Sequence, residues 1–282
     1  MSTHTALSYR RWSAGTIAKT IGWFLIALLW FFPVLWLVGK AFTPTGEILR
    51  HSERLIPETW TLANLVAVLV EWPFLRWVLN SLLVTLGALA VTSVVSLMAA
   101  YSFARLPWKG RNVVFIVFLA SMFIPWEINA VPLYFVANAL NLLNTRPGIF
   151  LPIAAMPVGM FLLRQFFINI PQDLEDAARI DGASSLGVLV RVFIPMSIPA
   201  IGALTIWVFI FAWNEFFWSL IALQRSYMLT VPIGLKTIMG AQNIEYGNLF
   251  GASLLALIPS LLVFVTLRRQ IIKGISLSGA IK

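Results

Sequence analysis

Cysteine is absent from the 282 residues, which excludes disulfides and thiolate metal sites. Histidine is nearly absent as well: the two are His4 and His51, and neither falls in an apolar stretch. No H-E-x-x-H occurs, and no Ser–His or paired-Asp constellation lies within an apolar segment, so an intramembrane hydrolase has no chemistry to use. A phosphate-binding loop is also missing. The only Gly-Lys pair, Gly39-Lys40, is followed by Ala41 and lacks the glycine-rich run that cradles phosphates. Charge is scarce, at 11% of residues, less than half of what soluble domains carry. Low-complexity segments and internal repeats are absent too.

What remains is apolar. Hydrophobic residues make up 60% of the chain and the mean hydropathy is +0.88. So large an excess cannot be hidden in one water-soluble core, and the bilayer must solvate much of the surface. The 12 Trp and 21 Phe suit bilayer interfaces. Six stretches are long enough to cross as helices, at roughly 20–39, 78–103, 112–136, 148–168, 199–223 and 248–267. The first is too long for a signal-peptide core and lacks a small-residue cleavage site, so it is expected to be a permanent helix.

Lys and Arg set the orientation. With the N-terminus inside, the inner segments hold 13 basic and 4 acidic residues, while the outer segments and spans hold 7 of each. The whole net charge of +9 then falls on one face, so both termini are expected in the cytoplasm. This accounts for the basic balance without nucleic acid. The expected organisation is a cytoplasmic segment 1–19, a peripheral first helix 20–39, an external loop 40–73, a five-helix core 74–270 and a cytoplasmic tail 271–282.

The most organised polar stretch, 171–199, lies on the cytoplasmic side between two spans and reads PQDLEDAARIDGASSLGVLVRVFIPMSIP. Its spacing predicts a short helix over Asp173 to Ser185, capped by Gln172 or Asp173, with early carboxylates complementing the helix dipole. Ala177 and Ala178 leave a flat surface for a partner, and Gly182 permits a break. A second helix, about 184–193, leads to Pro195 and Pro199 at the entry to the fifth span.

At these residues the chain resembles the permease subunits of binding-protein-dependent ABC importers. Their loop signature is E-A-A, three residues, G, nine residues, then I-x-L-P. Here it reads Asp176-Ala177-Ala178, then Gly182, then Val192-Phe193-Ile194-Pro195, with Asp for Glu, Val for Ile and Ile for Leu. The run RQFFINIPQDLEDAARIDGAS and the later FAWNEFFWSL are similar to the carbohydrate-uptake branch, the maltose-type second permease and its glycerol-3-phosphate relatives.

The resemblance implies an all-α integral membrane protein with six transmembrane helices, the type I ABC importer permease fold. It implies a loop that docks on a separate cytoplasmic ATPase through Glu175, Asp176, Ala177, Ala178, Asp181 and Gly182. The partners implied are a second, homologous permease subunit, two ATPase subunits and an extracytoplasmic solute-binding protein, in the bacterial inner membrane. ATP and Mg would sit on the ATPase, with no cofactor on this chain, which is a transport subunit and not an enzyme. The solute implied is a mono- or oligosaccharide, with glycerol-3-phosphate or a sugar acid as the alternative. An ion-coupled secondary transporter is the competing class, but it would leave the acidic loop without a role.

Polar residues within spans default to functional suspects, because lipid exposure is costly. Pro125 and Pro132 interrupt the third span, and there Glu127 and Asn129 either face a translocation path or lie in the outer interface. In the fifth span, Trp213, Asn214, Glu215 and Trp218 offer amide and carboxylate groups beside flat rings, which suits a sugar; the alternative is hydrogen bonding between helices. Asn80 and Ser81 read as helix packing, and Arg164 and Gln165 as the inner end of the fourth span. In relatives the tail reaches towards the ATPase, which would give Ser278, Gly279 and Ala280 a contact role.

Overall fold

The computed structural model describes the backbone of residues 14–279 and the side chains of 15–268. Every regular element among these residues is helical. The first is α1 (Ala14–Ala41), followed by α2 (Thr45–Ile48) and α3 (Ala63–Glu71). Next come α4 (Phe74–Ala104), α5 (Arg111–Ser121), a 3-10 turn (Trp126–Asn129) and α6 (Ala130–Ala139). Then follow α7 (Arg146–Ala154), α8 (Val158–Ile168), α9 (Gln172–Ile180) and α10 (Ser185–Val188). A π-turn (Leu189–Phe193) connects α10 to α11 (Ile194–Met196) and α12 (Ile198–Trp213). The chain ends in α13 (Phe217–Ala222), α14 (Val231–Met239) and α15 (Tyr246–Gly279).

Three helices are long and apolar enough to cross a membrane uninterrupted: Gly15–Ala41, Phe74–Ala104 and Tyr246–Arg268. Three bent pairs bring the number of spans to as many as six. Arg111–Ser121 meets Trp126–Ala139 at 95°, Arg146–Ala154 meets Val158–Ile168 at 40°, and Ser185–Met196 meets Ile198–Trp213 at 81°. The fourth and fifth spans therefore differ from the continuous helices expected from hydropathy, whereas a break in the third was expected from its prolines.

Only one of the two prolines breaks the third span. Pro125 precedes the 3-10 turn with extended backbone, whereas Pro132 sits in the first turn of α6, where a missing N–H leaves no helical bond unmade. The fifth span ends at Trp213 and not near 223, because Asn214–Phe216 leave the helix before α13 restarts it.

α4 is the central post, packed against α7, α8 and α12, and α12 packs in turn against α15. The larger core cluster includes Leu163, Phe167, Val188, Phe193, Leu204 and Trp218, each less than 3% exposed. A second cluster holds Trp77, Phe209, Trp213 and Ile238. α1 leans on α15 towards its C-terminal end, and the rest of it exposes Trp23, Phe24, Leu29, Trp30 and Phe31, an apolar surface suited to lipid.

The segment after α1 folds back onto that helix. Buried Asn64 donates to the Ala41 and Thr43 carbonyls at 2.9 and 2.7 Å, and buried Lys40 donates to the His51 carbonyl at 2.6 Å.

Candidate functional site

The segment 171–199 forms two helices joined by a break, as its residue pattern suggests, with shifted bounds. α9 ends at Ile180, where expectation carried it to Ser185. Pro171 is the N-cap residue, so neither Gln172 nor Asp173 caps the helix. Gly182 follows at φ +82, in the left-handed region where a side chain would be strained, and a Cβ there would meet nothing within 4 Å. Ser184 caps α10 by accepting from the Gly187 N–H at 3.2 Å. The second helix passes through the π-turn before Pro195, and Pro199 opens α12.

α9 stands clear of the body on most of its surface. Asp173, Asp176, Ala177, Asp181 and Gly182 are exposed, as are the aliphatic Leu174 at 43% and Ile180 at 86%. Ala178 is half-buried against the core.

Glu175 departs from the role expected of it. It is 5% exposed and faces inward. Its Oε1 accepts from Arg179 Nη2 at 2.7 Å and from the Tyr101 hydroxyl at 3.3 Å. Its Oε2 lies 3.9 Å from Arg105 Nε. The hydrogen bond to the Glu175 carboxylate raises the pKa of the Arg179 guanidinium above its ordinary value. Glu175 thus holds α9 to the body from within and is not part of the exposed surface.

The polar cluster of the fifth span also turns inward. Trp213 is the last residue of α12, is 2% exposed and donates its indole N–H to the Ala256 carbonyl at 3.2 Å. Trp218, fully buried, donates to the Gly148 carbonyl at 2.8 Å. Glu215 is 6% exposed, and its carboxylate accepts the Trp218 and Ser219 backbone N–H groups at 2.7 and 2.9 Å as well as the Ser219 hydroxyl. These are the free amides of the first turn of α13, so Glu215 caps that helix. Of the four residues, only Asn214 is exposed, and it bonds back to the Ile210 carbonyl at 2.8 Å. The 95° bend of the third span leaves both Glu127 and Asn129 exposed on the 3-10 turn.

Asn80 and Ser81 form a buried junction at the start of α4. Asn80 donates to the Tyr227 and Leu229 carbonyls, each at 3.0 Å, and accepts from Arg146 at 2.9 Å, while Ser81 accepts from the Val231 N–H at 2.8 Å. Arg164, near the end of α8, donates to the Phe103 carbonyl at 3.2 Å and stacks over Phe115, while Gln165 is exposed. Ser278 and Gly279 fall on the last turn of α15, and Ala280 lies outside the described residues.

The model of the binding-protein-dependent transport system inner membrane component matches residues 92–275, which spans α9, Gly182 and the Asn214–Phe216 break. The chain belongs to that family. The arabinooligosaccharides transport system permease protein AraQ of Halalkalibacterium halodurans is 33% identical, over 92% of this chain and 94% of its own length. The diacetylchitobiose uptake system permease protein NgcG of Streptomyces coelicolor is 34% identical, over 96% and 90%. In fold, this permease matches a chain of a bacterial ABC transporter involved in the import of the acidic polysaccharide alginate. The TM-score is 0.80 at 21% identity, covering 90% of this chain and 95% of that one.

Sequence reasoning missed Tyr101, Arg105 and Ser219 as partners of the two buried carboxylates. The i,i+4 spacing of Glu175 and Arg179 was a visible signal for one contact. Nothing in the sequence pairs residue 101 or 105 with residue 175.

Proposed function

We propose that this permease is the membrane subunit of an ATP-driven importer that moves a carbohydrate into the cytoplasm, coupled to a separate ATPase through α9. The observation that carries the reading is the exposed face of α9, where Leu174 and Ile180 stand beside Asp173, Asp176 and Asp181 and end at the Gly182 break. The carbohydrate assignment rests on the named activities of the relatives.

In this reading a second, similar permease completes the transmembrane pathway, and an external binding protein delivers the solute. Two ATPase subunits bind ATP and Mg in the cytoplasm, and the distribution of Lys and Arg supports the same side for both termini. This chain contributes no catalytic group to hydrolysis. It receives a displacement at α9 and repacks its spans.

The test is co-purification from detergent-solubilised native membranes, followed by reconstitution with whatever is recovered. Recovery of a second permease and an ATPase, with ATP-dependent uptake of a neutral oligosaccharide, supports the reading. Uptake of a sugar acid alone would change the solute class. Solute movement by this chain alone, without ATP, would overturn the importer reading.

A further inference from the structure

The inward face of α9 carries an arrangement that solute binding and ATPase docking do not use. Glu175 is a buried carboxylate on a helix whose other two carboxylates, Asp173 and Asp176, are exposed. Two cations and a phenol converge on it from three places: Arg179 from its own helix, and Tyr101 and Arg105 from the last turn of α4 and its C-cap. Arg105 also donates through Nη2 to the carbonyls of Phe167, at 2.8 Å, and Ile170, which close the end of α8.

Beneath them lies Phe193, fully buried at the end of the π-turn. The Arg105 guanidinium stacks over its ring at 5.2 Å, and the Tyr101 and Phe167 rings each meet it edge-on at 5.1 Å. The carboxylate on α9 thus meets the end of α4 at Tyr101 and Arg105, and Arg105 carries the link on to the end of α8 and the Phe193 ring.

A buried ion pair is a poor source of stability, because desolvation offsets most of its attraction, but removing one partner strands the other. Its use is to fix geometry. The joint is also not fully closed. Arg105 Nε is buried without a hydrogen-bond partner, and it lies 3.9 Å from Glu175 Oε2. A shift of α9 by about 1 Å would bring that pair into hydrogen-bond range.

We propose that Glu175, held by Tyr101, Arg105 and Arg179, is the positioning residue that makes α9 move as one body with α4 and α8, so that a push on α9 reaches the membrane spans. The proposal rests on the coupling role given to α9 above. It assigns Glu175 to the inner side of that joint and leaves contact with the ATPase to the outer face.

The absence of cysteine makes the test direct. Paired cysteines at exposed Gln172, in the first turn of α9 and not among the docking residues, and at exposed Met98 on α4 take spin labels in the complete complex with its partner permease and ATPase. The inter-label distance is then measured by pulsed resonance with and without ATP plus vanadate. With Glu175 intact, one narrow distance distribution is expected in both conditions.

Glu175→Gln, which is isosteric, and Tyr101→Phe, which removes one hydroxyl, should broaden the distribution. They should raise the ATP hydrolysed per solute imported by about tenfold, within the span that coupling-network substitutions produce, while the ATPase still co-purifies. An unchanged distribution and an unchanged ATP-to-solute ratio in both variants would overturn the proposal. Failure of the unsubstituted chain to retain an ATPase would instead overturn the coupling role of α9, so the two failures are separable.

Discussion

Trp218 donates its indole N–H to the Gly148 carbonyl at 2.8 Å, across seventy residues of sequence, and both groups are buried. The contact ties α13 to the first turn of α7. Trp218→Phe would leave that carbonyl unpaired and should cost about 1 to 3 kcal/mol. Gly148→Ala should cost more, since a Cβ there would run into the Leu142 carbonyl and the Thr145 hydroxyl. Heating the detergent-solubilised protein and following the folded fraction by size-exclusion fluorescence should rank both below the parent, with Gly148→Ala the lower.

Glu215 caps α13 with three donors on one buried carboxylate. Glu215→Ala leaves two amides and a hydroxyl unpaired, and should destabilise the protein by about 2 to 3 kcal/mol. Glu215→Gln keeps one acceptor oxygen and should fall between. Because the carboxylate is turned away from accessible surface, the pattern of competing sugars in an uptake assay should be the same for Glu215→Gln as for the parent. A changed sugar preference would place Glu215 in the solute path.

Hydropathy made the membrane segments legible because about twenty apolar residues are needed to cross a bilayer, whatever their detailed backbone path. It could not show the breaks. The bend between α7 and α8 falls in a run that stays apolar throughout, and the loss of helix at Asn214–Phe216 depends on Glu215 gathering the amides of the next turn. Pro125 was visible as a breaker, but Pro132 was not distinguishable from one until its place in the first turn of α6 was known. The helix–break–helix form of 171–199 was legible locally, since the carboxylates after Pro171 and the glycine at 182 mark a helix start and a break. Glu175 was expected among the docking residues, and its burial became apparent only from the position of Tyr101 and Arg105 in space.

Asn80 joins the start of α4 to α7 and to the loop before α14 through both ends of one amide. Asn80→Leu matches the volume but leaves the Tyr227 and Leu229 carbonyls and part of Arg146 without partners. It should cost about 2 to 4 kcal/mol, more than one ordinary hydrogen bond, because several groups are stranded together. Amide hydrogen exchange should quicken over residues 224–231 and stay unchanged in α9. Equal exchange in that loop would mean that its backbone is held independently of Asn80.

The outer face of α9 separates docking from folding most cleanly at Ile180. Ala178→Glu and Gly182→Asp would also disturb a docked partner, but neither is a clean probe. Ala178 is half-buried against the core, and Gly182 has a backbone conformation in which a side chain costs about 1 kcal/mol or more before any partner is considered. Ile180 is 86% exposed, so Ile180→Asp removes no packing within this chain. Surface changes of this kind usually move stability by no more than about 0.5 kcal/mol. If α9 carries the ATPase, the substitution places a further carboxylate in an apolar contact, on a segment that already exposes Asp173, Asp176 and Asp181. Co-purification of the ATPase and ATP-dependent uptake should then be lost together, while the melting profile of the isolated permease matches the parent. Full ATPase retention and uptake in Ile180→Asp would show that the exposed face of α9 is ordinary solvated surface, and the coupling role would have to move elsewhere.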